Sequence, residues 1–461
     1  MSQDDQSHSF APTDGMTKNP NDPKYLDPEA LQGELNRTFD LCQSCRLCFK
    51  YCQSFPTLFK AVDNNDGDAR GLDDGVVRQI VDECFGCQLC YVKCPYTDAD
   101  EHEYQLDFPA LMLRARAVRV EREGVPTREK MLSDPDRLGR QGTMLPALAN
   151  TANRTRLFRV MLEKATGIHR DKLLPSFEKP TFDDWFAKET DGRRETPNST
   201  HRVVLFATCF VNYNNPTIGR DALEVLTHNH CQVACPEVNC CGMPALDAGD
   251  VKTAKQRARR NVEALLPFVE RGYRVAVINP TCSLMLRHEY PLLLDDPTNR
   301  PLANAARQVA EATRDICELL VGQRKAGELR EDYLSTPDSA IAYHVPCHLR
   351  RQSIGFPAQQ LMKRIPGVKV RRVEQCSGHD GTWAMKREYY TISLQNGKKA
   401  FEEMQDVESE IWASDCPLAA VQFEQATGRR PLHPVQVLAR AYRKDGFPHP
   451  TESTAEDAAA S

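Results

Sequence analysis

The sequence contains no apolar run approaching the ~20 residues that a membrane span needs. Its first residues, MSQDDQSHSFAPTDG, hold neither a basic stretch nor an apolar segment, so no secretory signal is expected there. G-x-G-x-x-G and G-x-x-x-x-G-K-[ST] are both missing, which argues against a dinucleotide fold and a P-loop. The G-x-S-x-G elbow of a serine hydrolase is missing as well. Positive charge is not in excess. The 59 Lys and Arg stand against 64 Asp and Glu, a net charge of −5, and nothing points to nucleic acid as a partner. With 41% hydrophobic and 27% charged residues, the 461-residue chain reads as globular, with two to four domains of roughly 100–200 residues.

Cysteine is abundant instead: there are 18. Such density without an export signal points to metal ligation in a reducing compartment. Cys42, Cys45, Cys48 and Cys52 form C-x2-C-x2-C-x3-C, and Cys84, Cys87, Cys90 and Cys94 repeat it, with Pro95 after the last. Three thiolates at this spacing can wrap one iron–sulfur cube. The fourth leaves on the next helical turn and serves the other cube, as in two-cluster ferredoxins. Two [4Fe–4S] clusters are therefore expected, one on Cys42, Cys45, Cys48 and Cys94, the other on Cys84, Cys87, Cys90 and Cys52. A lone C-x-x-C also occurs in zinc knuckles, but two identical four-ligand runs favour clusters. Paired clusters in a small fold act as a wire rather than a reaction site.

The expected fold class is α+β and multidomain. A helical, two-cluster ferredoxin-like N-terminal domain would be followed by two repeated α/β cysteine-rich modules. Residues 1–35, rich in Pro, Asp and Asn, read as a flexible arm, 36–100 as the cluster domain and 101–200 as a helical connector. The modules are expected at 201–325 and 335–445, with a disordered tail at 446–461. HRVVLFATC, RVAVINPTC, AIAYHVPC and EIWASDC are each a buried-strand run ending on a cysteine. The runs repeat. Cys209, Cys240-Cys241-Gly242 and Cys282 match Cys347, Cys376-Ser377-Gly378 and Cys416, with first intervals of 31 and 29 residues and second intervals of 42 and 40. Each thiol would sit at the carboxyl end of a strand, where α/β sheets gather their sites.

CCGMPALDAGD, NPTCSLMLRHEYPLLL and HVPCHLRRQSIG, behind the twin cysteine runs, carry a resemblance. The chain resembles the C subunit of anaerobic glycerol-3-phosphate dehydrogenase, the iron–sulfur subunit of glycolate oxidase and the B subunit of heterodisulfide reductase. The resemblance spans about residues 40–445. It implies redox metal centres in the modules and electrons exchanged with a flavoprotein dehydrogenase subunit. Cys209, Cys240, Cys241 and Cys282 match the first module in full. Heterodisulfide reductase modules use a further cysteine where this chain has Met285, so a four-thiolate iron–sulfur site and a zinc site both stay open. In the second module Ser377 replaces a cysteine. Cys347, Cys376 and Cys416 remain, and His379 is the expected fourth ligand, with His344 and His348 as competitors. Cys317 reads as core, and Cys231 and Cys235 as packing.

The leading expectation is an iron–sulfur electron-transfer subunit that links a flavoprotein partner to a quinone or a thiol/disulfide acceptor. The alternative is a stand-alone iron–sulfur reductase acting on a disulfide or peroxide at the C-terminal modules. A metal-bearing scaffold or sensor is the third reading. The location expected is cytoplasmic, with peripheral contact at the inner face of a membrane through the basic helices of 101–165 left open.

Overall fold

A computed structural model describes residues 10–189 and 201–447. It is mixed helix and sheet, with helices first and two small parallel sheets after them. Parts of the expected arm (1–9), connector (190–200) and tail (448–461) lie outside the described residues.

The helix Pro28–Cys45 begins where Asp27 accepts hydrogen bonds from the N–H groups of Glu29 and Ala30, with Pro28 in the first turn. It ends at Arg46, whose φ is +51°. Phe39, Phe55, Leu58, Phe59, Ile80, Phe108 and Met112 bury a common core beneath both cysteine runs. Trp383 and Ala384, from far along the chain, join that core.

Residues 10–35 depart from the expected flexible arm. Tyr25 is buried, and the Arg114 guanidinium donates to the carbonyls of Tyr25 (2.9 Å), Gly15 (2.7 Å) and Lys24. Asn21 Nδ2 donates to the Leu293 carbonyl at 3.1 Å. Backbone carbonyls, which composition does not report, anchor this polar segment.

The strands are β1 (His201–Phe206), β2 (Cys231–Ala234), β3 (Arg274–Val277), β4 (Thr313–Asp315), β5 (Ile341–His344), β6 (Val370–Val373) and β7 (Ile411–Ser414). All pair in parallel, in the orders β2-β1-β3-β4 and β6-β5-β7. The internal repeat is thus a repeat of topology: β5, β6 and β7 occupy the places of β1, β2 and β3. The counterpart of β4 in the second sheet is reduced to a single parallel bridge, Leu432 to Ala413 of β7. One hydrophobic core joins the two, with Leu205, Ile316 and Leu320 packed in the same cluster as Ile341, Tyr343, Leu361 and Leu438. Among the described residues no helix is long and apolar enough to cross a membrane.

Candidate metal centres

Parallel pairing puts every carboxyl end on one side of a sheet, and there the chain spends its cysteines. Cys209 follows β1, Cys240 and Cys241 follow β2, and Cys282 follows β3. Cys347, Cys376 and Cys416 follow β5, β6 and β7.

The two N-terminal runs share one backbone feature, although Cys42 and Cys45 end a helix while Cys84 and Cys87 precede one. Arg46 and Gln88, each just after the second cysteine of its run, both adopt the left-handed conformation, at φ +51° and +60°. Non-glycine residues there mark a backbone held by its surroundings. The thiols group across the runs. Cys42 lies in the field of Cys48, Cys94 and Cys45, while Cys90 lies in that of Cys87, Cys84 and Cys52. Burial, then these neighbours, push the Cys42 and Cys90 thiols well above their ordinary range and Cys48 up to about 12. Thiols packed this way ionise together only against a strong positive charge, which a metal cluster provides.

In the first module Cys240 has Cys209 and Cys241 as its thiol neighbours, and Cys282 neighbours Cys241 in turn. Cys240 is accordingly held well below the usual thiol range by Cys209 and Cys241. Thr208, immediately before Cys209, has φ +75° and ψ 151°, a region costly for a β-branched residue. Residues that the sequence did not single out fix the Cys240-Cys241 loop. Asp136, from the helix Pro135–Met144, accepts from the Cys240 N–H at 2.8 Å and pairs with Arg257 at 3.3 Å. Burial lifts its carboxyl to about 6. Tyr290 donates to the Cys241 carbonyl at 2.9 Å, and Asn261 donates to the Tyr290 hydroxyl at 2.8 Å.

The second module is assembled differently from the set of three cysteines plus His379. Cys376 lies against Cys347 and against Cys87 of the N-terminal run, and these neighbours hold it well below the usual thiol range. Cys416 is drawn elsewhere. Its thiol caps the helix Pro417–Thr427, accepting from the Ala419 N–H at 3.4 Å, and the thiol acting on it is Cys282. His379 has both ring nitrogens buried without a hydrogen-bond partner, and the charge acting on it is Lys172. His344 bridges Ser414 Oγ (3.0 Å) and the Gln375 carbonyl (3.2 Å). His348 bridges Thr281 Oγ1 and the Gly86 carbonyl, both at 2.9 Å. The repeat alignment could not foresee that a neighbouring domain would bring the third thiol.

The donor sets are soft thiolates, which suit iron–sulfur clusters and zinc alike.

Beside Cys87 a cleft of about 260 Å³ is lined by Phe85, Arg116, Asp247, Asp380, Trp383 and Lys386, among others. A Cβ on Gly86 would meet Asp247 Oδ1 at 3.3 Å and Asp380 Oδ2 at 3.5 Å. Burial raises both carboxyls. Asp247, near Arg116 and Lys386, rises to about 6, and Asp380, with Asp247 beside it, is raised well above the ordinary carboxylate range. Trp383 stacks on Tyr389 at 4.6 Å and leans on Phe85 at 5.0 Å. Its walls come from four separate stretches of chain, around Phe85, Arg116, Asp247 and Asp380.

A cysteine-rich domain model matches residues 203–287 and 341–424. The chain is 28% identical over 413 residues to the C subunit of anaerobic glycerol-3-phosphate dehydrogenase from Escherichia coli, covering 88% of this chain and 98% of the relative. It is 30% identical over 210 residues to lactate utilization protein A of Bacillus licheniformis, covering 44% of this chain and 82% of the relative. The same relative from Bacillus velezensis is 30% identical over 224 residues, at 47% and 87% coverage. With two such domains and cysteines at the strand ends of both, the chain belongs to the cysteine-rich (CCG) domain family.

Proposed function

We propose that the chain is an iron–sulfur electron-transfer subunit of an oxidoreductase complex. It links a flavoprotein dehydrogenase subunit to a quinone or a thiol/disulfide acceptor. The observation that carries this reading is the contact between Cys87 of the N-terminal run and Cys376 of the second module. The Escherichia coli relative is, by its name, one part of a larger dehydrogenase. The absence of a nucleotide-binding motif from this sequence agrees with a flavin on a partner.

Cys42, Cys45, Cys48 and Cys94 would hold one [4Fe–4S] cluster, and Cys52, Cys84, Cys87 and Cys90 the other. Such clusters supply one-electron carriers whose potentials follow burial and hydrogen bonding to sulfur. The protein's own share is access and insulation. Cys45 is exposed, beside Leu47 (58% exposed) and Phe49 (52%), an apolar rim suited to a docking partner. Cys52, Cys84, Cys87 and Cys90 are buried. The path therefore runs from an open face at the first group to a closed junction with the modules.

The acceptor belongs in the cleft beside Cys87, where Trp383 offers an aromatic wall and Asp247 and Arg116 offer charge. That cleft also favours a second reading, a reductase acting on a small disulfide within it. Anaerobic purification with native partners separates the two. A co-purifying flavoprotein, with the isolated chain inert toward hydroxy acids and glycerol phosphate, supports the relay. Disulfide turnover by the isolated chain with a chemical reductant supports the reductase. A chain that binds no iron overturns both.

A further inference from the structure

Away from the cysteine loops lies a second donor group. Asp315 ends β4, Cys317 stands in the first turn of the helix Ile316–Lys325, and Asp415 follows β7. One ligand atom from each lies within 4.8 Å of the others, and all three residues are fully buried. The group therefore sits between the end of β4 in the first sheet and the end of β7 in the second.

Each carboxylate has one oxygen engaged and one without a partner. Asp315 Oδ1 caps the helix, accepting from the N–H groups of Cys317 (2.9 Å) and Glu318 (3.4 Å), while its Oδ2 is buried and unpartnered. Asp415 Oδ2 accepts from the Tyr343 hydroxyl at 2.6 Å, while its Oδ1 is buried and unpartnered. The charged neighbours acting on Asp315 are Asp415 and Glu318, and those acting on Cys317 are Asp315 and Asp415. All are acidic. His433, close by, contributes no positive charge. Its Nε2 donates to the Ile278 carbonyl at 3.0 Å and its Nδ1 accepts from the Val435 N–H at 3.2 Å, which leaves the ring neutral. Three acidic groups in a dry interior call for a compensating cation.

We propose that Asp315, Cys317 and Asp415 bind a zinc ion that staples the first module to the second. Two carboxylates and a thiolate in a tight group are a borderline donor set. They suit Zn²⁺ better than Ca²⁺ or Mg²⁺, which take oxygen ligands in greater number. A water completes four-coordination. Tyr343 orients Asp415 from behind, as outer partners of metal ligands do. The role is structural, because the sheets it joins carry the cysteine loops on their carboxyl ends.

The test uses the full-length protein, purified anaerobically from iron-replete, zinc-supplemented cells. Crystal diffraction recorded on both sides of the zinc absorption edge is expected to show a zinc peak between Asp315, Cys317 and Asp415. Elemental analysis is expected to give one zinc per chain, lost in Asp415→Asn and in Cys317→Ala with iron content unchanged. A wild-type map with no metal there, the carboxyls instead sharing protons, overturns the proposal. Iron at that position, or zinc found only at the Cys209 or Cys347 loops, overturns it as well. The wild-type map decides the matter even if both variants fail to fold.

Discussion

His348 Nε2 donates to the Gly86 carbonyl at 2.9 Å, across 262 residues of sequence. Since a carbonyl only accepts, Nε2 carries the proton, and Nδ1 is left to accept from the Thr281 hydroxyl. One imidazole thus ties the loop before Cys87 to the loop before Cys282, from a helix that begins at Cys347. His348→Ala removes both bonds and strands two polar groups in the interior. A loss of about 2–3 kcal/mol is expected, read as a lower midpoint of denaturant unfolding under anaerobic conditions. An unchanged midpoint would mean that the three cysteine regions are held together by other contacts.

The buried histidines also set an acid limit. Burial pushes His344 and His433 down to about 4, against an ordinary value near 6.5. The folded protein keeps both neutral while the unfolded chain protonates them. Between about pH 6.5 and pH 4 the unfolded state binds more protons, so stability falls as pH falls. Each imidazole contributes a slope of up to about 1.4 kcal/mol per pH unit in that window. Buried carboxyls such as Asp136 and Asp247, raised to about 6, act in the opposite sense over the same window, so the test is a difference between variants. His433→Gln is expected to lose less stability than the parent between pH 7.5 and pH 5, read from unfolding midpoints, and parallel pH profiles for the two would contradict the assignment.

Gly378 has φ +66°, and a Cβ there would lie 1.9 Å from the Ser393 carbonyl oxygen. Gly378→Ala must therefore move either the helix Tyr390–Gln405 or the loop whose N–H reaches the Cys376 thiol at 3.3 Å. Gly381, three residues on, has open space around it. Gly381 also has a positive φ, of +33°, so Gly381→Ala is expected to cost about 1–2 kcal/mol from backbone strain alone, while Gly378→Ala adds a backbone clash and costs more. Thermal unfolding of the two variants side by side reads the difference.

The crossed grouping of the N-terminal thiols makes Cys52→Ser informative. Cys52 lies in the field of Cys84 and Cys87, not of its sequence neighbours Cys45 and Cys48. The variant is expected to lose about four of about eight N-terminal irons while the group around Cys42 keeps its own. Iron and sulfide analysis with low-temperature EPR reads the loss. Retention of all the iron, or loss from the Cys42 group alone, would reverse the assignment.

Much of this was legible in the sequence where a feature is local. Strand runs that end on cysteine mark where parallel sheets present their loops, and matched intervals revealed that β5–β7 repeat β1–β3. What stayed hidden comes from packing between distant segments. Cys87 beside Cys376, Asp136 under Cys240 and the Asp247–Asp380 cleft each need a tertiary approach that no spacing encodes. Equivalent positions in the repeat do not make equivalent contacts. The alignment treats Cys416 as equivalent to Cys282, yet its thiol turns into the cap of its own helix. Residues 10–35 read as an arm because composition reports neither the carbonyls that Arg114 holds nor the burial of Tyr25, Leu31 and Leu35.

The last expectation concerns the surface. Met144, Leu145, Leu148, Leu157 and Met161 are all more than half exposed, on three consecutive helices between residues 135 and 166. Exposed large apolar side chains grouped in this way usually have something to cover them. Arg154 and Arg156 lie in the same stretch, and Glu163 is already paired with Arg170, so the free charge is positive. An apolar face with basic flanks suits an interface rich in anionic lipid. Vesicles with anionic headgroups are expected to sediment the protein, and vesicles of neutral lipid to sediment less of it. Leu148→Glu with Leu157→Glu removes apolar area and adds negative charge, and binding to anionic vesicles is expected to fall about tenfold or more. Because both side chains are exposed, folding and iron content are expected to be unchanged. If the double variant still binds the vesicles while losing a flavoprotein partner, the face is a protein interface and the membrane reading is wrong.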